Sequence, residues 1–239
     1  MTDPYITVYP EAVHIGDSPQ GRVLVLTPHA DDETFGCGGV IREHIMHGDD
    51  VSVVVLSDNS DSVQEEASGQ EVIDLREKEF AEAMSVLGVG KFRCLRIPPG
   101  VFGTQDRSED IAAILIENNP DLLYLPSWSD NHHDHRILMK WTSRALKNTS
   151  SIRPTIRQYE VWSPLSATIV VDITAVMEKK YEAMDCYQSQ MIAINYKHHI
   201  EGLNAFRAMT FGDSRVRYAE AFLETTTLNF RDLTDRFLS

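Results

Sequence analysis

Val23-Leu24-Val25-Leu26-Thr27-Pro28-His29-Ala30-Asp31-Asp32-Glu33 decides how this chain reads. Four apolar residues closed by Thr-Pro are the signature of a short buried strand. Polar, charge-rich residues follow at once. Gly36, Gly38 and Gly39 then lead into a helical stretch near residues 40–46. Gly48-Asp49-Asp50 is a turn. The β-branched run 51–56 is a second buried strand. Strands that are apolar throughout, joined by a helix, imply an α/β fold whose mostly parallel sheet has helices on both faces.

The same alternation continues downstream. Val72, Leu75, Phe80, Ala83 and Leu87 share one helical face, with Gly88 as its C-cap. A strand is expected over 92–97 and a helix around Ile111, Ile114 and Leu115, ending at Asn119-Pro120. Another strand spans 122–125, followed by a helix over 137–146. In the last third the expectations are a strand over 168–173, a helix over 175–187 capped by Thr174, and a helix over 200–209. The polar, acidic stretch 58–70 reads as a long surface loop and a candidate lid. Without a repeat or a linker, the 239 residues are expected to form one domain.

Composition narrows the function classes. The net charge of −14 repels phosphate backbones and anionic lipid, so neither nucleic acid nor membrane is expected as a partner. The start of the chain, Met1-Thr2-Asp3-Pro4-Tyr5, lacks the basic and apolar regions of a signal peptide. The apolar runs are far too short to cross a bilayer. Cys37, Cys94 and Cys186 are odd in number and far apart, which argues for a reducing cytoplasm. The sequence leaves open whether the chain forms a homo-oligomer.

Two clusters carry chemistry. The first is His29-Ala30-Asp31-Asp32-Glu33, after the first strand. The second is His132-His133-Asp134-His135, after the 122–125 strand. If both strands belong to one parallel sheet, both clusters face one crevice at its C-terminal edge. His29 and Asp32, three apart on a tight turn, can reach one metal ion, and His135 supplies a third ligand. Two imidazoles and a carboxylate leave a coordination position open, as catalytic zinc sites do, and they also suit ferrous iron. Asp31 is then free to act as general base. His132 can stabilise an oxyanion or protonate a leaving amine, with Asp134 paired to it. Losing such a donor typically costs about 3–4 kcal/mol in the transition state. The plainer alternative is that Asp31, Asp32 and Glu33 merely cap a helix. A nucleotide-binding reading of Gly36-Cys37-Gly38-Gly39 fails on glycine spacing and on the carboxylates that would face a pyrophosphate. His14, His44, His47, His198 and His199 receive no role.

At these residues the chain resembles the PIG-L/LmbE-like deacetylases. The family's Pro-His-Pro-Asp-Asp-Glu motif corresponds to Pro28-His29-Ala30-Asp31-Asp32-Glu33, with Gly36-Cys37-Gly38-Gly39 after it. Its His-x-Asp-His motif corresponds to His132-His133-Asp134-His135. Weaker likenesses run from Arg76-Glu77-Lys78-Glu79 to Tyr187-Gln188-Ser189-Gln190. The resemblance implies a Rossmann-like fold and zinc-dependent hydrolysis of an N-acetyl group on an amino sugar such as N-acetylglucosamine. It implies His29, Asp32 and His135 as metal ligands and Asp31 as base. His132 would polarise the intermediate with Asp134 behind it, and Arg76 would contact substrate. Ala30 departs from the motif proline. Asp130 stands where some relatives have a tyrosine, and is expected near water or substrate. A hydrolase of another N-acyl amide and a non-catalytic sugar- or nucleotide-binding module are the competing readings.

Overall fold

The computed structural model describes residues 13–15, 21–62, 69–192 and 194–238. The elements in chain order are β1 (Val13–Ile15), β2 (Arg22–Thr27), α1 (Asp32–His47), β3 (Asp50–Ser57), α2 (Gly69–Leu87) and β4 (Lys91–Ile97). Then come α3 (Ser108–Asn118), β5 (Leu122–Pro126), α4 (His133–Asn148), β6 (Thr155–Tyr159), β7 (Ile169–Asp172) and α5 (Met177–Met184). The chain closes with α6 (Gln188–Met191), α7 (Tyr196–Ala208), β8 (Ala219–Thr226) and α8 (Thr227–Phe237). Among the described residues the sheet has eight strands in the order β1-β7-β8-β6-β5-β2-β3-β4. Only β8 runs antiparallel to its neighbours, β6 and β7.

The continuous apolar strands follow from burial on both faces. Val23, Val25, Val53 and Val55 point into one core layer, with residues of α1, α2 and α5. Leu24, Leu26, Val54 and Leu56 point into the other, with residues of α3, α4 and α8. β2 and β5 are parallel neighbours, with Val23 opposite Leu122 and Val25 opposite Tyr124. Their C-terminal ends therefore lie side by side, and the two loops that carry the charged clusters start there.

Several elements differ from the sequence expectation. α1 does not begin after the glycines but runs through them from Asp32, broken at Cys37 (φ −145°, ψ 21°). The break frees the amides of Gly39 and Val40, and both donate to the buried Glu220 carboxylate at 2.8 and 2.9 Å. Lys180, itself buried, balances that charge at 2.6 Å. The glycines let the helix press on the sheet: a Cβ at Gly36 would sit 2.3 Å from the Tyr159 ring. Thr174 is not the N-cap of α5, which starts at Met177. Its hydroxyl instead accepts from the amides of Arg217 and Tyr218. The expected 58–70 loop is shorter, because Gly69 and Gln70 already belong to α2, and residues 63–68 lie outside the described residues. No described helix is long and apolar enough to cross a membrane.

Gly36→Ala should lower the free energy of unfolding by about 1–3 kcal/mol, the usual cost of overpacking a rigid core. Urea denaturation measures this. An unchanged midpoint would mean that α1 is not held against Tyr159.

Candidate active site

The turn after β2 is held from all sides. Thr27 Oγ1 donates to the His29 carbonyl at 3.0 Å, and Ser57 N donates to the Pro28 carbonyl at 2.9 Å, tying the turn to β3. Ala30 N donates to Asn59 Oδ1 at 3.1 Å. A proline at position 30 could not make that bond, so the departure from the family motif has its own partner here. The Ala30 carbonyl accepts from Arg76. Asp31 follows at φ 129°, ψ −34°, a conformation that costs a non-glycine residue strain of order 1–3 kcal/mol. Its amide donates to Glu33 Oε2 at 3.0 Å. Glu33 is fully buried and accepts from the Tyr187 hydroxyl at 2.5 Å. Burial pushes its carboxyl above the ordinary value.

This turn aims two adjacent carboxyls differently. Asp31 Oδ2 accepts from Arg76 at 2.9 Å. Burial pushes the Asp31 carboxyl up to about 7 against the pull of Arg76. Asp32 Oδ2 lies 3.1 Å from His29 Nδ1 and 3.1 Å from His135 Nε2. Burial opposes its ionisation, yet the two imidazoles hold it well below the usual carboxylate range.

Each of these imidazoles has a second carboxylate behind it. His29 Nε2 is 3.1 Å from Asp134 Oδ2. His135 Nδ1 is 3.4 Å from Asp130 Oδ2, at the outer limit of hydrogen-bond reach. Burial disfavours protonation of both rings, but the carboxylates outweigh it. His29 is pushed up to about 10, led by Asp134, and His135 up to about 9, led by Asp32.

His132 caps α4, its Nδ1 accepting from Asp134 N at 3.3 Å. Its ring lies 4.8 Å from that of His29 and 4.9 Å from that of His135. Burial, then the two neighbouring imidazoles, pull it below the ordinary histidine value. The expected pairing of His132 with Asp134 runs only through the Asp134 amide, because the Asp134 carboxylate turns to His29. Asp130 is equally far from the expected contact with substrate. It is buried, with one oxygen on His132 N at 2.8 Å and the other on Trp162 N at 3.1 Å. Arg76 is buried, although the cleft reaches it. It is 1% exposed, tied to Asp31 and Glu79, and among the residues that line the cleft.

The cleft above the cluster has a volume of about 230 Å³. It brings together His29, Asp31, Asp32, Arg76, His132 and Asp134, with His135 and Asp130 beneath. Gln190, from the Tyr187–Gln190 likeness, and Asp61, from the 58–70 stretch, also line it, and sequence reasoning missed Trp162 and Tyr196, which do so too. Trp162 and Tyr196 lie outside any motif, and the end of β6 and the start of α7 carry them in. Of the histidines left without a role, His44 is buried and satisfied by Asp49 and Tyr124. The Cys37 thiol donates to the Glu33 carbonyl and takes no part in the cluster.

The site can be compared with known proteins. The family described as PIG-L: GlcNAc-PI de-N-acetylase matches residues 24–146, which contain both charged loops. The diacetylchitobiose deacetylase of Thermococcus kodakarensis is 26% identical over 186 residues, 71% of this chain and 70% of that protein. A probable N-acetyl-alpha-D-glucosaminyl L-malate deacetylase 2 of Bacillus cereus is 26% identical over 188 residues, 72% and 85% of the two chains. The solved N,N'-diacetylchitobiose deacetylase of Pyrococcus horikoshii superposes with a TM-score of 0.76 at 26% identity, over 88% of this chain and 85% of that one. With the family match spanning just over half of its residues, and a fold shared along most of its length, the chain belongs to the PIG-L family.

Proposed function

We propose that this protein is a zinc-dependent deacetylase that hydrolyses the N-acetyl group of an amino sugar, or of an N-acetylglucosamine-containing conjugate, to the free amine and acetate. One observation carries the reading. His29 and His135 converge on Asp32 Oδ2, each backed by a carboxylate, while the neighbouring Asp31 carboxylate turns to Arg76. Tetrahedral ligands about 2.0–2.1 Å from an ion stand roughly 3.3–3.4 Å apart. The 3.1 Å separations here fit such a set. Carboxylates behind ligating imidazoles fix ring orientation and raise basicity. His132 also offers a ring nitrogen within 4.8 Å of those of His29 and His135. No carboxylate backs it, which favours His29, Asp32 and His135 as the holders. The same ligands suit ferrous iron.

An ion bound there supplies a Lewis acid and acidifies water to a pKa of roughly 7. The remaining chemistry belongs to side chains. Asp31 takes the proton of the attacking water and returns it to the leaving amine. Arg76 holds the Asp31 carboxylate in place and favours its ionised form. His132 Nδ1 accepts a backbone N–H, so in the neutral ring Nε2 carries the hydrogen and can donate to the developing oxyanion. Asp134 and Asp130 orient His29 and His135. The three cysteines are free, which supports work in the reducing cytoplasm.

Asp31→Asn should retain bound metal and lose at least a hundredfold in acetate release from N-acetylated chito-oligosaccharides, about 2.7 kcal/mol of transition-state stabilisation. Turnover like that of the wild type would remove Asp31 as the base.

The pH profile adds a signed test. Asp31 acts as a carboxylate, so kcat/KM falls as pH drops through its pKa. Arg76 lowers that pKa, so Arg76→Gln should move the acidic limb to higher pH. A limb that stays in place or moves to lower pH would detach Arg76 from the ionisation of Asp31.

A further inference from the structure

One wall of the cleft is aromatic. Trp162, 45% exposed, meets Tyr196 edge to face with ring centroids 5.7 Å apart. Phe35 stacks behind Tyr196 at 5.1 Å. The backbone of Trp162 donates to Asp130, the carboxylate that also faces His135, so this wall is anchored to the histidine cluster. Such a surface matches the apolar C–H face of a pyranose ring.

The charge of the cleft is one-sided. Asp31, Asp32, Asp61 and Asp134 all line it. Arg76 is the one Lys or Arg on its described lining, and it is paired with Asp31 and Glu79. The residues outside the description contain neither Lys nor Arg. A divalent cation at the histidines would offset Asp32 and Asp134. Asp61, exposed at the cleft and without an ion pair among the described residues, would remain uncompensated. Helix N-termini are the usual alternative for holding an anion. Three begin here, and each is already answered: α1 carries the carboxylates of Asp32 and Glu33 in its first turn, Asp134 N at the start of α4 donates to His132, and His198 N at the start of α7 donates to Asn195. The net charge of −14 acts in the same direction at longer range.

Resting on the deacetylase reading, we propose that the cleft selects uncharged N-acetylated amino sugars. Trp162 and Tyr196 take the sugar face, and Asp61 discriminates against substrates with a phosphate or carboxylate next to the acylated ring. An anionic neighbour would lose its hydration here without gaining a cation, so it is rejected by unpaired charge and not by shape.

The test combines binding with turnover. Metal-loaded Asp31→Asn is titrated by calorimetry with N,N'-diacetylchitobiose and with N-acetylglucosamine 1-phosphate. The neutral sugar should bind at least tenfold more tightly at low ionic strength, with the gap narrowing in salt. In the same background, Asp61→Lys should cut the ratio at least fivefold. Trp162→Ala should weaken the neutral sugar at least fivefold without changing metal content. Equal or tighter binding of the phosphate, no measurable binding of the neutral sugar, or a ratio indifferent to Asp61→Lys would overturn the proposal. Acetate release by the metal-loaded wild type is followed in parallel. Selective binding without any release would sink the deacetylase reading and leave the selectivity standing. Release without selectivity would do the reverse.

Discussion

The cleft depends on a single carboxylate oxygen. Asp32 Oδ2 stands 3.1 Å from one ring nitrogen of His29 and 3.1 Å from one of His135. For that meeting, β2 and β5 must be parallel neighbours and the turn after β2 must be tight. The negative charge of Asp31, Asp32, Asp130 and Asp134 must also be balanced in a partly buried space, where charges interact strongly. The elevated pKa values of His29 and His135 record this demand. A metal ion held by these rings would meet the same demand, and the ligating nitrogens would bind it without their protons.

Holding the oxygen in place requires strain and buried charge elsewhere. Asp31 keeps its unfavourable backbone because Asn59, Glu33 and Arg76 fix the peptides around it. Tyr187 in turn fixes Glu33. Behind the turn, α1 breaks at Cys37, where the buried Glu220 carboxylate accepts from the freed amides and Lys180 balances its charge. The glycines of α1 therefore serve close packing and not phosphate binding, although their spacing after a strand invites comparison with a nucleotide loop. Fold and site are one arrangement: His29 follows the end of β2, and Asp32 and His135 lie in the first turns of α1 and α4.

Much of this was legible in the sequence. The apolar runs at 23–26, 51–56 and 122–125 marked strands buried on both faces, and the two charged loops followed from where those runs stop. β6 and β8 were not legible, because buried charges interrupt their apolar pattern. Arg157 is 2% exposed in β6 and bonded to Tyr124 and Glu224, and Glu220 is buried in β8 against Lys180. Pairing across the fold makes these charges compatible with a core, and no local pattern reports it. The same holds at the site. The types and spacing of His29, Asp32 and His135 suggested a common ion. Only three-dimensional contacts show that Asp134 faces His29, that Asp130 faces His135, and that Trp162 and Tyr196 wall the cleft.

Elemental analysis of the purified protein, alongside a His29→Ala/His135→Ala variant, tests the centre of this picture most directly. About one zinc or iron ion per chain is expected in the wild type and almost none in the variant, with the variant's fold intact by circular dichroism. A wild-type protein that binds no metal even after reconstitution, or a folded variant that keeps its full complement, would contradict the assignment of His29, Asp32 and His135 as one metal site.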